Sequence, residues 1–285
     1  MKLSKKKSKL AIVWRQLQKN KVAVVALFVI ALIVLVAIFA PFLAPHPYDQ
    51  QNTKLAFAGS SKEHLLGTDK LGRDVLSRLI YGSTQSLQVG TVSTIIAATV
   101  GIILGSIAGY YGGWLDNLIM RLLDIYQSIP MFLLCVTLAA VLGPSLRNAI
   151  IAIGVAMVPG FSRLMRASIL SVREMEYVEA AQSINASSAR IIRKHIIPNA
   201  LSPLIVSITM GIGSSALAGA GLSFIGLGVQ PPIPEWGAMI SDARNYMREH
   251  GTLALYPGIC VMITVLAFNL LGDGLRDALD PRLKN

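Results

Sequence analysis

Gly221-Leu-Ser223 offers a serine in a context that could present a nucleophile. Acyl chemistry at a serine needs a base beside it. The four histidines are His46, His64, His195 and His250, and none falls within an apolar run, whereas Ser223 does. An intramembrane hydrolase is therefore a remote reading. Cys135 and Cys260 both lie inside apolar runs and read as small core residues, not as a disulfide or a metal site. No Gly-x-x-x-x-Gly-Lys-Ser/Thr is present, so the chain does not cradle ATP phosphates by that device. A channel would need a filter, such as a ring of carbonyls or charges. No filter-like stretch is evident. These absences assign no catalytic residue and no metal ligand.

The informative polar stretch runs from Glu176 to Ala200 and sits between two apolar runs. Glu179, Ala180 and Ala181 are expected in mid-helix. Asn185 breaks that helix, because Asn is the commonest non-Gly residue in the left-handed region. Ala186 and Ser187 lead into a second short helix from about 187 to 196, which Pro198 is expected to stop. Glu179 has Arg173, Arg190, Arg193 and Lys194 nearby in sequence as partners that could brace the loop. A helix–turn–helix projecting from a membrane bundle is a handle for a soluble partner.

The elements that hold this handle follow from composition. The 285 residues are 53% hydrophobic and only 14% charged, against about 25% charged in a soluble domain. This composition is that of an integral membrane protein. The net charge of +11 is not a nucleic-acid signature, because many basic residues flank apolar runs. Six spans are expected, at residues 22–40, 89–109, 118–142, 149–170, 201–224 and 255–271, each near the 20 residues a crossing requires. The first apolar run is too long for a cleaved signal peptide and reads as a retained helix. Seventeen Lys and Arg fall in the N-terminal arm, the region 163–199 and the tail, against eight in the opposite loops. Both termini and the polar stretch are therefore expected in the cytoplasm. The expected divisions are a basic arm (1–21), a first transmembrane helix (22–44), an external loop with an interfacial helix (45–87), a transmembrane core (88–277) containing the cytoplasmic loop 171–199, and a cytoplasmic tail (278–285).

Within the core, Gly101, Gly105, Gly109 and Gly113 recur every four residues, which predicts one close-packing stripe inside the bundle. Arg121 and Asp124 share a face three residues apart. Charges at membrane depth are costly unless paired or wet. An ion pair, with each other or with a neighbouring helix, is expected, and a place along a pathway is the alternative. Pro130 and Pro159 are expected to kink the third and fourth spans.

Three further stretches complete the reading. His64-Leu-Leu-Gly-Thr-Asp-Lys-Leu-Gly-Arg-Asp-Val-Leu-Ser-Arg-Leu-Ile-Tyr-Gly82 precedes the second span. Residues 74–81 of it are expected to form an amphipathic helix at the outer interface. Ser223 to Gly237 contains Pro231, Pro232 and Pro234 before Trp236, a rigid elbow with the indole at headgroup level. Leu271-Gly-Asp-Gly-Leu-Arg-Asp-Ala-Leu-Asp-Pro281 ends the chain.

Together with the Glu-Ala-Ala stretch and its His195-Ile-Ile-Pro198-Asn ending, these segments resemble the second permease of dipeptide, oligopeptide and nickel ATP-binding-cassette (ABC) importers. The resemblance covers nearly the whole chain after the arm. The departures are Asn185 for the usual Gly and Ile197 for the usual Leu. The resemblance implies an all-α integral membrane protein of the type I ABC importer permease fold, with six transmembrane helices and a cytoplasmic coupling-helix loop. It also implies a multi-pass protein of a prokaryotic cell membrane. The implied partners are a second homologous permease, two ATPase subunits, an extracytoplasmic solute-binding protein and lipid, with no nucleic acid. No cofactor is implied for this chain, since ATP and Mg belong to the ATPase subunits. Glu179, Ala180, Ala181, Asn185, Ala186, Ser187 and Pro198 would form the coupling loop. Gly67, Asp69, Arg73, Pro232, Glu235 and Trp236 would contact the binding protein. Peptides are the implied cargo, with nickel or another small solute as the alternative.

Overall fold

The computed structural model describes residues 9–279; the first eight residues of the basic arm and residues 280–285 of the tail lie outside it. Helices α1 (Lys9–Leu17), α2 (Lys21–Ile38), α3 (Ala40–Leu43), α4 (Val75–Tyr111), α5 (Gly113–Gln127), α6 (Met131–Leu142), α7 (Leu146–Arg173), α8 (Glu176–Ser183), α9 (Ser188–Ile191), α10 (Ile197–Phe224), α11 (Trp236–Ala243) and α12 (Thr252–Leu279) follow in order. No strand occurs among the described residues; the single isolated bridge pairs Thr68 with Asp74.

Helices α2, α4, α7 and α12, and α10 with the turn before it, are each long and apolar enough to cross a membrane. Helices α5 and α6 qualify only as a pair, and they meet at 83°. Counted as one broken crossing, the pair completes the six expected spans. The expectation for Pro130 was a kink; the structure has a full break. Pro130 adopts φ −52°, ψ 130° and starts α6 as its N-cap. A proline also steers the residue before it away from helical geometry. Pro159, in contrast, lies inside an uninterrupted α7.

Three boundaries differ from the sequence reading. Residues 74–81 do not form a separate interfacial helix. They begin α4, whose N-cap Asp74 accepts the Ser77 N–H at 2.7 Å. At 1.5 Å per residue, this 37-residue helix is about 55 Å long. Pro198 does not stop a helix either. It sits in the first turn of α10, preceded by a π-helical turn, Ile192–Ile196, in which the Ile197 N–H reaches back five residues to the Ile192 carbonyl. A first-turn proline loses no bond the helix would have made. The wide turn also accommodates a ring that cannot close a normal one. Finally, part of the basic arm is helical, and Leu17 of α1 is buried beside Gly274 of α12.

The core is helix on helix. Gly101, Gly105 and Gly109 of α4 face α7 so closely that a methyl at Gly101 would overlap the Phe161 side chain, and one at Gly105 the Ser162 carbonyl oxygen. A methyl at Gly109 would lie 3.0 Å from the Arg166 carbonyl oxygen. The expected stripe thus packs α4 on α7. Gly113 leaves it: φ is +59° and a methyl there would meet nothing within 4 Å, because α4 has already ended.

Candidate functional site

The loop between α7 and α10 is folded and anchored. Val178 and Ala181 of α8 are buried in one cluster with Met165 and Ile169 of α7, Ile191 and Ile196 of the following turns, and Ala200 and Leu204 of α10. Burying a valine of this kind contributes about 1.5–3 kcal/mol. Asn185 has φ +54°, as its residue type predicts. The Ala186 N–H donates to the Ala181 carbonyl at 3.2 Å, the six-to-one bond of a Schellman cap with Asn185 at the left-handed position. Glu179 and Ala180 face outward, and Met175, Tyr177 and Ile184 are exposed on the same loop, Ile184 at 80%. The loop therefore presents the Glu176 and Glu179 carboxylates beside exposed apolar side chains, held from behind by a packed face.

Glu179 makes no ion pair among the described residues, so the cations near it in sequence do not brace it. Arg173 is engaged elsewhere. Its Nη1 donates to the carbonyls of Gly109 and Tyr110, at 3.4 and 3.2 Å. These are carbonyls of the last turn of α4, where a cation is favoured by the helix dipole. The end of α4 and the start of the loop are thus tied together.

Arg121 and Asp124 do not pair with each other. Asp124 accepts from Arg163 of α7 at 2.6 Å, with both side chains about half exposed. Arg121 is exposed and joins no carboxylate among the described residues. The stronger pair is one the sequence reading missed. Arg166 grips Asp116 through Nε and Nη2, each at 2.5 Å, and so fixes α5 against α7. Its signal was present: two arginines three residues apart inside an expected span require counter-charges.

A cavity of about 460 Å³ lies between the α5–α6 pair, α7 and α10. Tyr126, Gln127, Ser207 and Ser214 supply its polar atoms, among apolar side chains that include Met131 and Met157. The Tyr126 hydroxyl is buried without a hydrogen-bond partner among the described residues. Ser223 lines no catalytic pair: its Oγ accepts the Val229 N–H at 3.3 Å, and no histidine bonds to it among the described residues.

On the opposite end of α4, the residues expected to meet a binding protein are mostly internal. Gly67 is buried with φ +77°. Arg73 is 3% exposed and donates through Nε to Asp69 at 2.6 Å. Asp69 also accepts the N–H groups of Leu71 and Arg73. Glu235 is buried, caps α11 by accepting the Ala238 N–H, and accepts from Ser86 Oγ at 3.1 Å. Trp236 is not at headgroup level; its indole is buried and donates to the Leu79 carbonyl at 3.1 Å. Of the six, Pro232 is exposed. Arg78, also missed, joins the same network: it lies 3.6 Å from Asp69 and donates to the carbonyls of Tyr48 and Pro232.

Comparisons with known proteins agree with this geometry. The profile of binding-protein-dependent transport system inner membrane components matches residues 101–285. That of the N-terminal transmembrane domain of oligopeptide transport permease C matches residues 8–59. A dipeptide transport system permease protein of Alkalihalophilus pseudofirmus is 47% identical over 95% of this chain and 90% of its own length. A glutathione transport system permease protein of Escherichia coli O157:H7 is 44% identical over 95% and 90%. In fold, the chain is similar to the MetNI methionine ABC transporter in an inward facing conformation, with a TM-score of 0.59 at 20% identity over 71% of this chain and 96% of that one. The chain belongs to the family of binding-protein-dependent transport system inner membrane components, and its architecture is that of a type I ABC importer permease.

Proposed function

We propose that this chain is one of two homologous permeases in an ATP-driven importer of short peptides, working with two ATPase subunits and an extracytoplasmic solute-binding protein. The observation that carries the reading is the α8–α9 loop. It is anchored by Val178, Ala181, Ile191 and Ile196, yet presents Glu179, Ala180 and exposed apolar side chains outward. Such a rigid, partly apolar knob suits docking on a soluble subunit. Peptide cargo is supported by the dipeptide and glutathione permeases to which the chain is similar. Nickel or another small solute is the alternative cargo.

The cavity beside Tyr126, Gln127, Ser207 and Ser214 would form this chain's half of the pathway. Its volume is within the roughly 300–1,000 Å³ of small-ligand sites. The chain would hydrolyse no ATP itself; ATP and Mg would bind the partner subunits. Both termini and the loop would face the cytoplasm.

Two measurements test this. Reconstituted with its partner permease, ATPases and binding protein, the chain should support ATP-dependent dipeptide uptake into liposomes; nucleotide-stimulated uptake by the purified chain alone would overturn the assignment. In cysteine accessibility scanning, a cysteine at Ser188 should label only from the cytoplasm and one at Gln51 only from outside. Labelling of both from one side would overturn the topology.

A further inference from the structure

A cluster outside the loop and the cavity remains unused. His46 follows α3, His64 lies in the external segment, and Asp74 caps α4, so sequence distance hides their proximity. In the fold, one ring nitrogen of each histidine and one carboxylate oxygen of Asp74 lie within 4.8 Å of one another. The two imidazoles sit with centroids 4.8 Å apart at 37°. His64 Nδ1 is 2.9 Å from Asp74 Oδ1, and both side chains are largely shielded, at 13% and 1% exposure.

The geometry points to a binding site for a single borderline divalent cation, of the Zn²⁺, Ni²⁺ or Co²⁺ class, held by His46, His64 and Asp74. Two imidazoles and a carboxylate are the donor set such ions take, and hard cations such as Mg²⁺ prefer all-oxygen shells. Metal–donor bonds of roughly 2.0–2.2 Å in a tetrahedron put donors about 3.3 Å apart. The His64–Asp74 pair is already close to that spacing, so the ion would take the place of the proton they share. His46 must move in by about 1.5 Å on the same reckoning. It is carried on a loop, where its ring bonds to the Glu63 carbonyl at 3.0 Å and tilts against the His64 ring.

The surroundings hold Asp74 and the backbone of His46 in place. Asp74 Oδ2 accepts the Ser77 N–H, which fixes the carboxylate. The His46 main-chain N–H donates to Ser77 Oγ at 3.0 Å, tying its loop to the first turn of α4. Three protein donors leave a fourth position to water, an open site. A bound ion would clamp the segment after α3 to the tip of α4.

The test uses the full chain, purified with an affinity tag free of histidine and titrated with Co²⁺, whose visible absorption reports imidazole ligation. We expect one Co²⁺ per chain, displaced by Zn²⁺ and not by Mg²⁺. His46→Gln and His64→Gln should weaken binding about tenfold or more, and His250→Gln should leave it unchanged. Asp74 caps a helix and its loss could unfold the tip, so His46→Gln is the deciding variant, checked by an unchanged melting temperature and elution profile. Absence of stoichiometric binding in the native chain, or undiminished binding in folded His46→Gln, would overturn the proposal.

Discussion

The Trp236 indole occupies the space a side chain at Gly82 would need: a methyl there would come within 3.0 Å of the indole Cδ1. The same edge of the indole is fixed by the bond from Nε1 to the Leu79 carbonyl. Gly82→Val should therefore destabilise the protein by about 1–3 kcal/mol, the range for overpacking. Thermal unfolding in detergent measures this, and an unchanged midpoint would show that the indole can yield.

Gly105 permits a closer approach still, because the obstacle there is the backbone of α7 and not a movable side chain. Gly105→Leu should prevent α4 and α7 from packing and abolish recovery of folded protein. Size-exclusion chromatography of the solubilised membrane protein decides it.

Arg166 and Asp116 form a two-bonded pair, whereas Arg163 and Asp124 share one bond in a wetter setting. Asp116→Asn should cost about 1.5–3 kcal/mol, as for hydrogen bonds to charged groups. Asp124→Asn should cost under about 1 kcal/mol, as for exposed pairs. Equal effects on the unfolding free energy would contradict this ranking.

Glu179→Ala should leave the unfolding midpoint of the membrane bundle unchanged, since the carboxylate is exposed and makes no ion pair among the described residues. If it seats the loop on an ATPase subunit as a buried hydrogen-bonded charge, its loss should cost roughly 2–5 kcal/mol of docking, or about 30-fold or more in affinity. Surface plasmon resonance with the ATPase subunit reads that value; retention of full affinity and of coupled transport would remove Glu179 from the docking surface.

Asn185→Gly should be silent in ATPase coupling, because glycine adopts the observed φ of +54° freely. Asn185→Val should cost at least 1–2 kcal/mol of local stability, by about the penalty for left-handed geometry. Amide exchange of Ala186, whose N–H closes the cap, is the local probe.

The sequence made the spans legible because apolar runs of about 20 residues with few or no charges have few alternatives to crossing a membrane. It made the turn at Asn185 legible because the left-handed preference is a property of the residue itself. Pro198 was misread for a related reason: a proline signals a helix boundary, but the residue alone does not say whether a helix is ending or beginning. Glu235 and Trp236 were misplaced because what buries them, Ser86 and the Leu79 carbonyl, lies about 150 residues away. A tryptophan after prolines looks equally fit for a headgroup or a core. Arg173 shows the same limit. Four cations near Glu179 in sequence suggested pairing, yet the open carbonyls at the end of α4 claim the nearest of them.

The uninterrupted run from Val75 to Tyr111 makes α4 a lever arm. At about 55 Å it is nearly twice the roughly 30 Å thickness of the hydrocarbon layer. One end is fastened through Arg173 to the head of the α8–α9 loop, and the other carries Asp74, Arg78 and the network around Asp69. A stiff rod converts angle into distance. A tilt of about 10° imposed at the loop would sweep the far tip by about 10 Å, so a small rotation at one end of the helix becomes a displacement the size of an amino-acid residue at the other.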